Sequence, residues 1–316
     1  MVITVLTCNC GDKTNFIEKN FNFKIEKIIS SDDMDSPYFF ARILNVCANS
    51  QYIYVSDWKN YSITIFDHDL NFIKKIGEKG SGPNQFGQLF VNMTCNEKNL
   101  YLLTINRLYT LSSEGYFLGE TRLKFLPGQL FLLSDGFLFK RNSPGDVFII
   151  TDAKGNTDNT FFEAPTIAAK YCGKISANPQ AFLPSKHELL VMSSLKYEIQ
   201  SIDLSTKKNK MLIERDVEFQ GISCTEDGQG NQSIHGGYSW ILEGRGKIYY
   251  FYFNLKKQLM MDLFSRLGRN GVELKSTGKC IGRFNPLCII PNSDRFVGVI
   301  PDESDKLYIC RLTEMM

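Results

Sequence analysis

A layout of short strands and polar turns, clearest in residues 53–87 (IYVSDWKNYSITIFDHDLNFIKKIGEKGSGPNQFG), returns in weaker form along nearly the whole chain. The segment holds two alternating apolar strands, a polar turn at Asp67 to Asn71, a third strand ending in Gly77 and a Gly/Pro-rich exit. A recurring unit of this size is one supersecondary piece that must stack on its neighbours, and four antiparallel strands per unit make a propeller blade.

Reading for that period gives six units. The first takes 43–47, 52–56, 62–66 and 72–76; the second 91–95, 100–104, 107–111 and 116–119; the third 130–133, 137–140, 147–151 and 160–163. The fourth reads 181–183, 188–192, 198–202 and 210–213. The fifth begins at 217–224, is interrupted by a polar insertion at 225–236, and resumes at 238–242, 247–253 and 258–264. The sixth offers only 287–290, 296–300 and 306–311, while residues 23–29 (FKIEKII) stand unpaired near the N-terminus. Lending that strand to the last blade closes the ring and covers an open edge. The expected fold is all-β, a six-bladed propeller over residues 21–316 with an N-terminal clasp strand, preceded by a leader remnant or tether at 1–20.

Composition agrees and narrows the partners. Aromatics at 13% suit strands. Lys plus Arg number 36 against 34 Asp plus Glu, so a net charge of +2 provides no general pull toward nucleic acid or an anionic membrane. No run of 18 apolar residues marks a spanning helix. A monomer is expected.

The stretch at 53–87 resembles the NHL-type repeat through Tyr54, Asp57, Ile65, Phe66, Asp67, Gly77, Gly80, Gly82, Pro83, Gln85 and Phe86. It is more similar still to the six-bladed propeller lipoproteins of gut Bacteroidetes. The resemblance implies the fold across about the whole chain and says little of function, because propellers host many unrelated activities.

The opening MVITVLTCNC is apolar and ends in cysteine before a polar tether at Gly11, Asp12 and Lys13. It looks like the tail of a lipoprotein signal, with Cys8 or Cys10 as the acylated residue, and implies a bacterial cell-envelope location, periplasmic or at the surface. The alternative is a cytoplasmic protein with reduced thiols. Cys47, Cys95, Cys224 and Cys288 recur within apolar segments assigned to inner strands, and no paired C-x-x-C knuckles accompany them. Small thiols packed near the axis are the expectation.

The site expected is the mouth of the central channel. Five inner strands open on a side-chain amide, Asn92, Gln129, Gln180, Gln220 and Asn285, with Arg42 in the nearest equivalent place in the first unit. Repeated by pseudo-symmetry, these groups form a ring of hydrogen-bond donors and acceptors, or else satisfy backbone groups at the axis. Trp58, Lys59, Asn60 and Tyr61, Arg245, and a basic loop at 265–283 are expected on the same face. That loop carries Arg266, Arg269, Lys275, Lys279 and Arg283 against Glu273, a net of +4.

Asp67, Asp69, Asn71 and Glu78 match four positions of a calcium loop, but Phe72 stands where the sharp turn needs glycine, so a hairpin turn is the better reading. No H-E-x-x-H, G-x-S-x-G or phosphate loop occurs. The function expected is therefore a non-enzymatic binding or scaffold propeller without a cofactor, holding a carbohydrate, anionic small molecule or protein. The alternative is a hydrolase, lactonase or lyase of the NHL-like or gluconolactonase-like kind, with a divalent ion such as calcium in the channel.

Overall fold

The structure, a computed structural model, describes residues 17–30, 37–141 except 81 and 83, 146–163, 166–169, 173–176, 180–185, 187–193, 196–215, 217, 223–226, 232–235, 239–245, 247–254, 256, 258–266, 272–281, 284–300 and 303–315. Cys8, Cys10, Pro83 and Gln220 lie outside these residues.

Turn chemistry builds each hairpin. In the first unit the Asp67 carboxylate accepts the Asp69 and Asn71 amides at 2.9 and 2.8 Å and the Asn71 carboxamide at 2.7 Å, while Leu70 takes φ of 56°. This is an Asx turn. Burial works against the carboxylate, yet the bonds from Asn71 and Asp69 win and hold its pKa below the ordinary value. Asp152, Lys154 and Asn156 repeat the arrangement in the third unit, with Gly155 at φ of 81°. Gly77 is required twice over, because its φ is 81° and the Phe86 ring lies where a Cβ would stand.

The resulting strands form six four-stranded blades, innermost strand first. The first is Ile43–Ala48, Ile53–Asp57, Ser62–Phe66 and Phe72–Ile76; the second Phe90–Cys95, Asn99–Thr104, Arg107–Ser112 and Phe117–Arg122. The third is Pro127–Leu132, Gly136–Arg141, Asp146–Asp152 and Thr157–Glu163; the fourth Gln180–Ser185, Glu188–Met192, Glu198–Asp203 and Asn209–Glu214. The fifth is Ser239–Gly244, Lys247–Phe253, Leu259–Arg266 and Val272–Ile281. The sixth is Asn285–Ile289, Arg295–Ile300, Glu303–Met315 and, from the other end of the chain, Asn20–Ser30.

Period-two alternation sends successive side chains into the two neighbouring blades. Ile53 and Val55 join the buried cluster shared with the sixth blade, whereas Tyr54 between them joins the cluster shared with the second. There are six such clusters among the described residues, one at each interface between adjacent blades, so the ring is closed by packing all the way round.

The N-terminal segment does more than complete the last blade. Asn20–Ser30 runs antiparallel to Glu303–Met315, from Asn20 opposite Met315 to Ser30 opposite Lys306. It also pairs in parallel with the fifth blade, Phe21 opposite Cys280, and Ile17 opposite Ser276 continues that contact. Blades five and six thus share one continuous sheet. Phe23 seats this stitch, with its ring 4.8 Å from Phe284 and 5.4 Å from Phe296.

The fifth unit corrects the sequence reading. Its innermost strand is Ser239–Gly244 rather than 217–224, and among the described residues Ser223–Glu226 pairs with Gln232–His235 alone, in a separate hairpin. Cys224 therefore lies outside the inner ring, while Cys47, Cys95 and Cys288 are on inner strands as read. The supposed basic loop at 265–283 is largely the blade's outer strand, Val272–Ile281, with Arg266 closing the strand before it; Arg269 and Arg283 fall outside the described residues. Charges on a solvent-facing outer strand imitate a polar loop when pairing partners are distant in sequence.

Candidate functional site at the top face

In an antiparallel meander the turns between second and third strands share one face with the lead-ins to the inner strands, called here the top. The Asp57 carboxylate fixes this face in the first blade. It is 1% exposed and accepts the amides of Ala41 at 2.5 Å, Arg42 at 3.2 Å, Lys59 at 3.0 Å and Asn60 at 3.2 Å, with the Asn60 carboxamide at 2.9 Å. The Asn60 carboxamide also donates to the Phe39 carbonyl at 3.0 Å, and the Trp58 amide donates to the Arg42 carbonyl at 3.3 Å. A carboxylate so engaged is a staple between the two top loops.

Above that staple the Arg42 guanidinium lies 5.5 Å from the centre of the Trp58 ring. Arg42 is exposed and Trp58 half-buried, resting on the cluster between the first two blades. Such a cation–aromatic pair keeps an apolar ring and a positive charge together at the surface. Tyr61 is on the same turn, at φ of 55°, but its ring packs toward Phe90 at 6.2 Å under the Lys79 ammonium. Phe39, Leu89, Ile105 and Leu126 are exposed on the lead-ins and turns of the first three blades. Thr104 donating to the Gln88 carboxamide at 3.1 Å ties the second blade's lead-in to its top turn as Asp57 does in the first.

The amides separate into two groups. Asn45, Asn92 and Gln129 each follow a one-residue bulge at the start of an inner strand, opposite Ser56, Leu103 and Lys140. Pseudo-symmetry thus puts Asn45, and not Arg42, in the first blade's equivalent place. The Asn92 carboxamide donates to Asn45 Oδ1 at 3.4 Å and accepts the Leu130 amide at 3.1 Å, linking the first three blades neighbour to neighbour. Asn92 accordingly serves backbone and neighbour. Gln180 and Asn285 open the inner strands of the fourth and sixth blades, both half-buried, whereas the fifth blade's described inner strand opens on Ser239.

Arg245 does not belong to this face. It occupies the turn between first and second strands of the fifth blade, at φ of 51°, and pairs with Asp294 at 3.1 Å in the matching turn of the sixth. Those turns lie at the bottom. The misplacement follows from the one-strand error in reading the fifth unit.

Elsewhere, buried polar groups hold blades together. Between the fourth and fifth, Asp262 accepts from Arg215 at 2.6 Å and from the hydroxyls of Tyr197 and Thr277. Burial pushes the Asp262 carboxyl upward while Arg215 and the hydroxyls pull against it. At the axis, burial first and a hydrogen bond with Cys95 second push the Cys47 thiol well up, which suits an inert packing role. Among the described residues no three His, Cys, Asp or Glu side chains gather as a metal site would require.

The six four-stranded blades closed into a ring define the class, a six-bladed β-propeller. The chain belongs to the DUF5128 family of 6-bladed beta-propellers, whose model matches residues 35–261. No curated protein matches the sequence. Among solved structures it is similar to a Bacteroides fragilis NCTC 9343 protein named as exported, at 12% identity and a TM-score of 0.62, covering 95% of this chain and 100% of that one. A DUF4221 family member from Bacteroides vulgatus ATCC 8482 gives the same identity and TM-score over 95% of this chain and 99% of its own. At such identities the likeness concerns the fold.

Proposed function

We propose that the protein is a non-enzymatic recognition propeller of the bacterial cell envelope that holds its ligand on the top face over the first three blades. The observation that carries this reading is the Arg42–Trp58 pair on the face whose lead-ins and turns also carry exposed Phe39, Leu89, Ile105 and Leu126. Large apolar side chains left exposed on one face, with a cation held there by an aromatic ring, suit a ligand-binding surface. The best-placed carboxylate on this face, Asp57, is already committed to five hydrogen bonds, which favours binding over ion-assisted chemistry. The envelope location draws on the cysteine-ending apolar opening and on the exported name of the B. fragilis relative. Cys8 or Cys10 then carries the lipid, and radiolabelled palmitate incorporation lost in one of Cys8→Ala and Cys10→Ala tests that part.

For the binding itself, purified protein is applied to an array of neutral and uronic-acid oligosaccharides. Signal is expected for wild type and reduced at least tenfold in Trp58→Ala, whose cooperative melting shows that it is folded. Equal signal from both proteins overturns the reading.

A further inference from the structure

We propose that the top of the channel between the third and fourth blades is a seat for a carboxylate, with Lys140 as its cation and Gln129 as a second donor. This deepens the binding reading above and rests on it.

Lys140 is only 6% exposed. It lies near the top end of Gly136–Arg141, in register with Gln129 on one side and Phe148 on the other. That face of the strand carries Leu138 and is shared with Phe131, in the cluster that meets Ala181, Leu189 and Val191 of the fourth blade. The neighbours just named are uncharged, and Arg141, the adjoining cation, is on the opposite face of the strand; the charged positions that the register puts on the Lys140 face are Asp146, two residues before Phe148, and Glu163 opposite it, and burial is the one influence on the Lys140 amine. Neither the Lys140 ammonium nor the Gln129 carboxamide has a hydrogen-bond or ion-pair partner among the described residues. Burial alone pushes the amine down to about 8, so it remains largely protonated at neutral pH. A largely buried lysine without an acid is costly, its ammonium is not sealed from solvent, and a bound anion offsets the cost.

The repeat supplies an internal control. At the position of Lys140 the first blade has Ser56, whose hydroxyl accepts the Asn45 amide at 3.1 Å and donates to the Asn45 carbonyl at 3.3 Å, and the second has Leu103. Two blades therefore satisfy this position without a charge, and packing does not demand one in the third. At the matching register position of the first blade, on the side facing the second blade, Asn45 Nδ2 is buried without a partner among the described residues. One cation with neutral amide donors matches a monoanion. A phosphate dianion would leave negative charge uncompensated in a buried place.

The test uses galacturonate and acetate as carboxylate probes and inorganic phosphate as the contrasting anion, with affinities measured by calorimetry on wild type, Lys140→Met, Lys140→Gln and Trp58→Ala. Galacturonate and acetate are expected to bind wild type more tightly than phosphate does and to bind both Lys140 variants at least tenfold more weakly. Affinity for wild type is expected to fall about tenfold per pH unit above the amine's pKa, a dependence absent from the variants. Cooperative melting at a temperature no lower than that of wild type shows that the loss in the variants is not misfolding. Equal affinity of wild type and Lys140→Gln, a flat profile from pH 7 to 9.5, or preference for phosphate overturns the seat. If Trp58→Ala abolishes binding of array sugars while the Lys140 variants do not affect any probe, the seat falls and the top-face reading stands.

Discussion

The first and fifth blades are built to one plan, yet their structural signals sit at different distances. In the first, the turns and loops are fixed locally: Asp67 closes its turn within four residues, Asp57 staples its two top loops, and Phe86 docks on Gly77 nine residues away. In the fifth, the outer strand is held on its far side by residues 17–22, and the third strand is anchored through Asp262 to Arg215 and Tyr197 of the preceding blade. Local chemistry names strands, whereas membership of a blade is decided by pairing. A blade whose partners are distant in sequence can therefore be misread by one strand without any single strand looking wrong.

The largest expected effect tests the distant pairing. Deleting residues 1–30 exposes the outer edges of blades five and six together and should abolish a cooperative thermal transition or yield aggregate, while deleting 1–15 should leave the transition unchanged. Equal melting of the two truncations would mean that the ring closes without Asn20–Ser30. Phe21→Ala, at a site 0% exposed, should by itself cost about 3–5 kcal/mol in denaturant unfolding.

The buried ion pair comes next. Asp262→Ala strands the Arg215 guanidinium between blades four and five and should cost about 3–5 kcal/mol. Asp57→Ala, whose donors lie near solvent and can rehydrate, should cost about 1–3 kcal/mol and increase hydrogen exchange only in the top loops near 39–42 and 58–60. If the two losses are equal and exchange spreads globally in both, the contrast between a local blade and a long-range one fails.

Lys140 provides a pH test with a defined sign. Its amine is pushed down to about 8 in the fold, against about 10.4 in an unfolded chain, so the unfolded state binds more protons between those values. Stability then rises as pH climbs through that window. Lys140→Met should be more stable than wild type at pH 7, by at most about 3 kcal/mol, with the advantage fading toward pH 10. A constant difference across the range would contradict the burial of an unpaired ammonium. At the small end, Arg245→Ala breaks an exposed pair and should change stability by about 0.5 kcal/mol or less.

Much of the architecture was legible in residue types. The strands of the first four blades lie close to where alternation and the Asp- and Gly-bearing turns put them, because hairpin signals act within a few residues. The fifth blade has its own turn residues, Asn254 among them, but the run at 217–224 took the place of its inner strand, and Lys275 and Lys279 on its outer strand imitated a solvated loop. The site was legible only in part. Arg42, Trp58, Asn92 and Gln129 do stand on the top face, but Arg245 followed the misread strand to the bottom. Lys140 and Asn45 carried no signal in a single sequence, since a lysine inside an alternating strand reads as solvent-facing until the face beside it is known to be filled by another blade.

The central claim, recognition at the top face over the first three blades, is tested most directly by hydrogen–deuterium exchange of the intact protein with and without a saturating uronic-acid oligosaccharide from the array. The account predicts slowed exchange in segments 39–45, 58–61, 88–92, 104–106 and 126–141, and none in the bottom turns at 49–52, 243–245 and 290–295. Protection centred on those bottom turns, or an identical exchange pattern in Trp58→Ala, would contradict it.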